Sequence, residues 1–181
     1  MAASAIEQLR EIESKSLSRG ALVVQSAQMK AAEWRGIGFR VGETELVTSM
    51  QHIAEVLKVV EYTRIPSSKI WFEGIANVRG QLVPVTDFYS FLYGRRLPAD
   101  RDTRMILFRL ANSVSGLVVT SVTGIRNFRE DALDQDATGI SDEIIPYLSG
   151  CFHQSGDAYP VFDFSRLLND ERFMHVTELN E

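Results

Sequence analysis

Three histidines (His52, His153, His175), one cysteine (Cys151) and two aspartates in matching apolar settings (Asp87, Asp163) are the side chains whose types could support chemistry. Metal ligands recur at short spacings, but these histidines stand far apart, with no H-x-x-x-H or H-E-x-x-H arrangement. No G-x-S-x-G nucleophile elbow and no G-x-x-x-x-G-K-[ST] phosphate loop occurs. Gly36-x-Gly38 lacks the third glycine of a dinucleotide fingerprint and falls in or before a strand, where a structural role is the simpler reading. Cys151 follows Gly150 inside apolar sequence and reads as a buried, inert thiol. Asp87 and Asp163 each precede a short helical stretch, where a carboxylate caps free backbone N–H groups. No catalytic residue, metal or cofactor is expected.

The elements that carry these residues are short. Residues 36–41, 44–50, 81–85, 105–110, 116–120 and 158–162 read as strands, and 87–93 and 163–168 as brief helices. Many short strands at this spacing indicate a sandwich or small barrels rather than a βαβ sheet. Residues 1–32 differ: Ile6, Leu9, Ile12 and Leu17 lie at helical spacing among charges, followed by a polar stretch. They read as an N-terminal arm, partly helical.

Composition narrows the partners. The chain has 181 residues and a net charge of −5, with no run of Lys and Arg, which argues against nucleic acid. A single cysteine permits no internal disulfide and fits a reducing cytoplasm. Glu7, Arg10, Glu11, Glu13 and Lys15 interrupt what would have to be the apolar region of a secretory signal, and no window matches a membrane span. A cytoplasmic location is expected, with no direct membrane insertion and with any membrane association made through a partner.

An internal repeat is visible. Residues 74–92 and 150–168 share seven of nineteen positions without a gap, including Gly74/Gly150, Gly80/Gly156, Pro84/Pro160 and Asp87/Asp163. Trp71 and Phe72 stand opposite Tyr147 and Leu148, and Phe39-Arg40-Val41 resembles Phe108-Arg109-Leu110. Shared glycine, proline and aspartate imply one turn, one strand edge and one helix cap used twice. Features found in both copies are architectural; features in one copy are functional candidates. Asn77-Val78-Arg79 has His153-Gln154-Ser155 opposite it, which singles out Arg79.

Trp71-Phe-Glu-Gly74-Ile-Ala-Asn77-Val-Arg79-Gly80-Gln-Leu-Val-Pro84-Val-Thr-Asp87 resembles the central signature of CheW-like domains. Ile53-Ala-Glu55-Val56, Thr63-Arg64-Ile65-Pro66, Gly116-Leu-Val-Val-Thr120-Ser-Val122 and Pro160-Val-Phe-Asp163 stand in the family's order around it. The resemblance covers residues 33–173 and is strongest to the branch serving type IV pilus twitching motility.

It implies a mainly β fold of two small five-stranded β-barrel lobes packed together, with short helices. Their bounds would be about 36–100 and 104–169, with 174–181 as a tail. It also implies a non-catalytic adaptor between the cytoplasmic tip of a methyl-accepting chemoreceptor and the regulatory domain of a CheA-type histidine kinase, recruited to inner-membrane receptor arrays. Carried over residue by residue, receptor contacts fall on Ile53, Glu55, Val56, Asn77, Arg79, Leu117, Val119 and Val122, and a kinase contact on Leu82. The family often has Asp where this chain has Thr120. A flagellar chemotaxis adaptor is the nearest alternative, and an enzyme with an unrecognised pocket is a rival of another class.

Overall fold

The computed structural model describes residues 32–98, 100–110, 113–135 and 139–177. The expected N-terminal arm lies outside them, except for Ala32. In chain order the elements are β1 (Glu33–Val41), β2 (Thr44–Ser49), β3 (Ile53–Lys58), β4 (Tyr62–Thr63), β5 (Phe72–Val78), β6 (Gln81–Asp87) and α1 (Phe88–Tyr93). There follow β7 (Arg104–Leu110), β8 (Ser113–Val119), β9 (Ser121–Arg129), β10 (Leu133–Asp134), β11 (Leu148–Gln154), β12 (Asp157–Phe162), α2 (Phe164–Leu168) and α3 (Glu171–Met174). Asp87 and Asp163 cap α1 and α2, accepting from Ser90 N and Ser165 N, as their positions before the helices predict.

The strands form two sheets of one design, β10-β11-β12-β2-β1-β9 and β4-β5-β6-β8-β7-β3. Each strand has its counterpart six strands along the chain, so the repeat extends over the whole domain. Each sheet holds five longer strands and a two-residue sixth at its edge, β10 or β4, where five were expected.

Lobe boundaries also differ from the expected ones. Hairpin β1–β2 joins the sheet of β9–β12, and β7–β8 joins that of β3–β6. The two copies exchange their opening hairpins. The exchange rests on two parallel pairings, Val161 with Val47 and Val85 with Gly116. Pro84 and Pro160 stand one residue before those pairings begin, opposite Ile75 and Cys151, at equivalent positions.

Both repeat hairpins close with a two-residue turn whose central residues have positive φ: Arg79 (52°) and Gly80 (85°), then Ser155 (56°) and Gly156 (91°). This geometry matches the right-handed strand twist, so both turns are tight. Both hairpins also carry a bulge ahead of the turn, at Phe72/Gly74 and Leu148/Gly150.

Between the sheets lies a shared core. Phe39 and Leu46 of the first hairpin meet Ile106, Phe108, Leu117 and Val119 of the exchanged one, with Phe162 and Phe164 among them. Phe108 stacks on Phe164 at 4.1 Å, and such pairs add about 0.5–1.5 kcal/mol beyond burial. Each sheet has a smaller core on its other face: Val83, Val85, Met105 and Leu107 on one, Val47, Phe128, Phe152 and Val161 on the other. β7 therefore alternates Ile106 and Phe108 into the shared core with Met105 and Leu107 away from it.

The C-terminal residues are tied in further than expected. Phe173 stacks on Trp71 at 5.6 Å, Lys69 N donates to Val176 O at 2.8 Å, and Ser68 pairs with Thr177. Residues 174–177 thus belong to the fold, although the resemblance ends at 173. Among the described residues no helix is long and apolar enough to cross a membrane.

Candidate functional site

Arg79 sits in the β5–β6 turn with a left-handed backbone, and its side chain reaches edge strand β3. Its Nη2 donates to Glu55 Oε1 at 2.6 Å. The Arg79 side chain is 78% exposed and that of Glu55 29%. Asn77 Oδ1 accepts from Gly80 N at 2.8 Å, closing the turn that presents the arginine. Asn77 therefore fixes the backbone from which Arg79 projects.

The pair belongs to one copy only. The register of β3 on β7 and of β9 on β1 makes Ile53 equivalent to Val122 and Glu55 equivalent to Gly124. Ser155 takes the place of Arg79. The second copy has neither charge.

The other expected receptor residues divide into two groups. Ile53, Val56 and Val122 are half-buried on edge strands β3 and β9 and pack against the shared core. Glu55 faces the opposite side of β3, lining a cavity with Val83 and Leu107. The register shift between Ile53 and Glu55 causes this, since the extra residue cancels the alternation that would align positions 53 and 55. The edge strand offers an apolar face and a charged face, not one groove.

Leu117 and Val119, the remaining expected receptor residues, are buried. At 1% and 0% exposure they fill the shared core, because β8 is covered on both faces and sits between β6 and β7. Thr120, in the position where Asp was noted, accepts from Gly42 N through Oγ1 at 2.8 Å and joins the β1–β2 turn to the end of β8.

Leu82, the expected kinase contact, is 71% exposed. It borders a groove of about 480 Å³ with Pro84, Val114, Phe173 and Met174, and Met174 is also 60% exposed. The contribution of α3 to this groove had no signal in the repeat, which ends before it.

Sequence reasoning also missed Glu73, a buried carboxylate at the β5 bulge. It accepts from Tyr62 Oη at 2.6 Å, Arg96 Nη1 at 2.8 Å and Arg64 Nη2 at 3.1 Å. The cluster fastens the segments before β5 and after α1 to the hairpin that carries Arg79. Its counterpart is Ser149, so a comparison of copies could have marked Glu73. Burial is the main cause of the raised Tyr62 phenol pKa, with its hydrogen bond to Glu73 next.

The candidate chemical residues sit apart. His153 is exposed on β11, and His175 places Nδ1 2.7 Å from Glu171 O at the end of α3. Cys151 is buried, and burial pushes its thiol pKa up, away from reactivity. Among the described residues no group of three or more His, Cys, Asp or Glu could hold a metal ion.

Residues 35–172 match the model of the CheW-like domain family. The chain is 32% identical over 151 residues to Protein PilI of Pseudomonas aeruginosa, covering 83% of this chain and 84% of that protein. It is 29% identical to Protein FrzA of Myxococcus xanthus, covering 74% and 84%, and 24% identical to chemotaxis protein CheW of Thermotoga maritima, covering 76% and 89%. Among solved structures, the scaffolding protein TtCheW from Thermoanaerobacter tengcongensis superposes with a TM-score of 0.64 at 21% identity, covering 73% of this chain and 90% of that one. That likeness concerns the fold.

Proposed function

The chain belongs to the CheW-like domain family, and from that premise we propose that it is a non-catalytic adaptor. It joins the cytoplasmic tip of a methyl-accepting chemoreceptor to the regulatory domain of a CheA-type kinase, in the control of type IV pilus twitching motility. The observation that carries the reading is the Glu55–Arg79 pair, built on an edge strand and a tight turn in one of two copies of the same sheet design. A duplicated fold needs no such pair to close its hairpin, since Ser155-Gly156 closes the other one.

In this role Ile53, Val56 and Val122 give the receptor's helical hairpin an apolar edge to pack on, while Glu55 and Arg79 fix its orientation. Arginine suits that task because its planar fork holds paired hydrogen bonds. Leu82 and the groove beside it take the kinase. The adaptor works in the cytoplasm and reaches the inner membrane through its receptor. Co-sedimentation with receptor-containing membranes, with and without the kinase, tests the proposal: the kinase must enter the pellet only when this protein is present.

Relatives named chemotaxis protein CheW favour a second reading, the same adaptor in flagellar chemotaxis. A deletion strain distinguishes them, since loss of twitching with intact swimming supports the pilus pathway.

A further inference from the structure

The cavity beside the Glu55–Arg79 pair, of about 240 Å³, is lined by Glu55, Arg79, Gln81 and Arg109, with Val83 and Leu107 beneath. Its charged groups are two guanidiniums and one carboxylate, a local charge of +1 on a chain of net charge −5. Arg109 is exposed, and among the described residues its side chain has no ion-pair or hydrogen-bond partner. Arg79 is mostly exposed and gives one N–H to Glu55, leaving the remaining donors of its guanidinium open.

The other copy shows what is missing. Arg109 on β7 corresponds to Arg40 on β1, and the residue across the hairpin from Arg40 is Glu45. Arg40 Nη2 lies 3.7 Å from Glu45 Oε2. The residue across from Arg109 is Val114, which offers no acceptor and lines the same cavity. One fold thus contains both the completed arrangement and the incomplete one.

We infer that the cavity between Arg79 and Arg109 receives an acidic side chain, Asp or Glu, from the receptor's helical tip, supplying in trans the carboxylate that Glu45 supplies in cis. This rests on the receptor reading above and adds the chemistry of one contact and a residue, Arg109, to it. The carboxylate bridges two guanidiniums whose separate strands it then ties together, and Glu55 sets selectivity by repelling a second acid. Charge-assisted hydrogen bonds of this kind are short and strong.

The test measures binding of a soluble receptor fragment containing the hairpin tip to wild type, Arg109→Lys, Arg109→Glu and Val114→Glu. A second set of fragments carries each tip Asp or Glu changed singly to Lys. Arg109→Glu and Val114→Glu should each weaken binding at least tenfold, and Arg109→Lys less. One Lys-bearing fragment should bind Arg109→Glu at least tenfold better than it binds wild type. That reversal cannot arise from a folding defect, so it decides the matter even if Val114→Glu lowers stability. Wild-type binding that all Arg109 variants share, or the absence of any rescuing Lys, overturns this inference alone. Failure of the wild type to bind the fragment overturns the receptor reading and this contact with it.

Discussion

Arg79 and Glu55, 24 residues apart in sequence, meet at 2.6 Å and tie the β5–β6 turn to the edge strand of the same sheet. Because the arginine is largely exposed, the pair contributes about 0–1 kcal/mol to stability. Arg79→Ala should therefore leave thermal unfolding almost unchanged while strongly weakening receptor binding. Glu55→Ala should weaken binding less, and the double variant should lose less than the sum, since contacting residues couple. A double-mutant cycle checks this; strictly additive losses would show that the two act separately.

Gly74 and Gly150 are predicted to be equally intolerant of substitution. Gly74 has φ 132° and a Cβ there would collide with the carbonyl oxygen of Thr63 in β4; at Gly150 it would collide with that of Asp134 in β10. Alanine at either position must displace a paired edge strand, costing about 1–3 kcal/mol. Gly80, with φ 85° and nothing near an added Cβ, should cost only the backbone strain of about 1 kcal/mol. Urea midpoints of the three alanine variants rank them.

Glu73→Ala removes one carboxylate from three partners. Arg64 and Arg96 remain partly solvated, so no buried charge is stranded, and a loss of about 1–3 kcal/mol is expected. Proteolysis should report more, with faster cleavage between β4 and β5 and after α1, the segments that Glu73 fastens. Unchanged cleavage there would show that the cluster does not restrain them.

Acid stability should depend on Asp170. Its hydrogen bond from Arg172, with that from the Tyr147 hydroxyl, holds its pKa at about 2. An unfolded aspartate titrates near 3.9. The depressed value means its contribution is present above about pH 4 and disappears as pH falls through about 2. Tyr147 behaves oppositely: burial and the Asp170 carboxylate push its phenol to about 12, so its share is complete below about pH 10 and is lost on rising through 12. Asp170→Asn should flatten the acid limb of stability against pH between 4 and 2, and absorbance titration should find Tyr147 ionising near pH 12.

Removal of residues 1–30 should leave a single sharp thermal transition, because the cores among the described residues draw on positions from Trp34 to Val176. A broad or missing transition would assign the arm to the fold.

The repeat hairpins were legible because glycine, proline and aspartate carry positional meaning that survives divergence: Gly80 and Gly156 mark the turns, and Asp87 and Asp163 the caps. The exchange of hairpins was not legible, since β1–β2 pairs locally in the same way whichever sheet it joins. At the site, Arg79 was readable because the sister turn carries Ser155 in its place, and Glu55 only through the resemblance to CheW-like domains. The bulge after Ile53 was not, and it sends two neighbouring candidates to opposite faces. Leu117 and Val119 look like any half-buried alternation until both faces of β8 are found covered.

The exchanged hairpins also set an order of events during synthesis. β1 and β2 leave the ribosome first, yet Val47 waits for Val161, near the other end of the domain. The sheet of β3–β8 can be completed as soon as β8 emerges, whereas Val47 of the older hairpin lacks its partner Val161 until β12 has been translated. Such long-range closure slows folding and prolongs the exposure of apolar strands. The hairpin made before its partner strand is thus the vulnerable one, and a nascent-chain chaperone engaging it would shield it until β12 arrives.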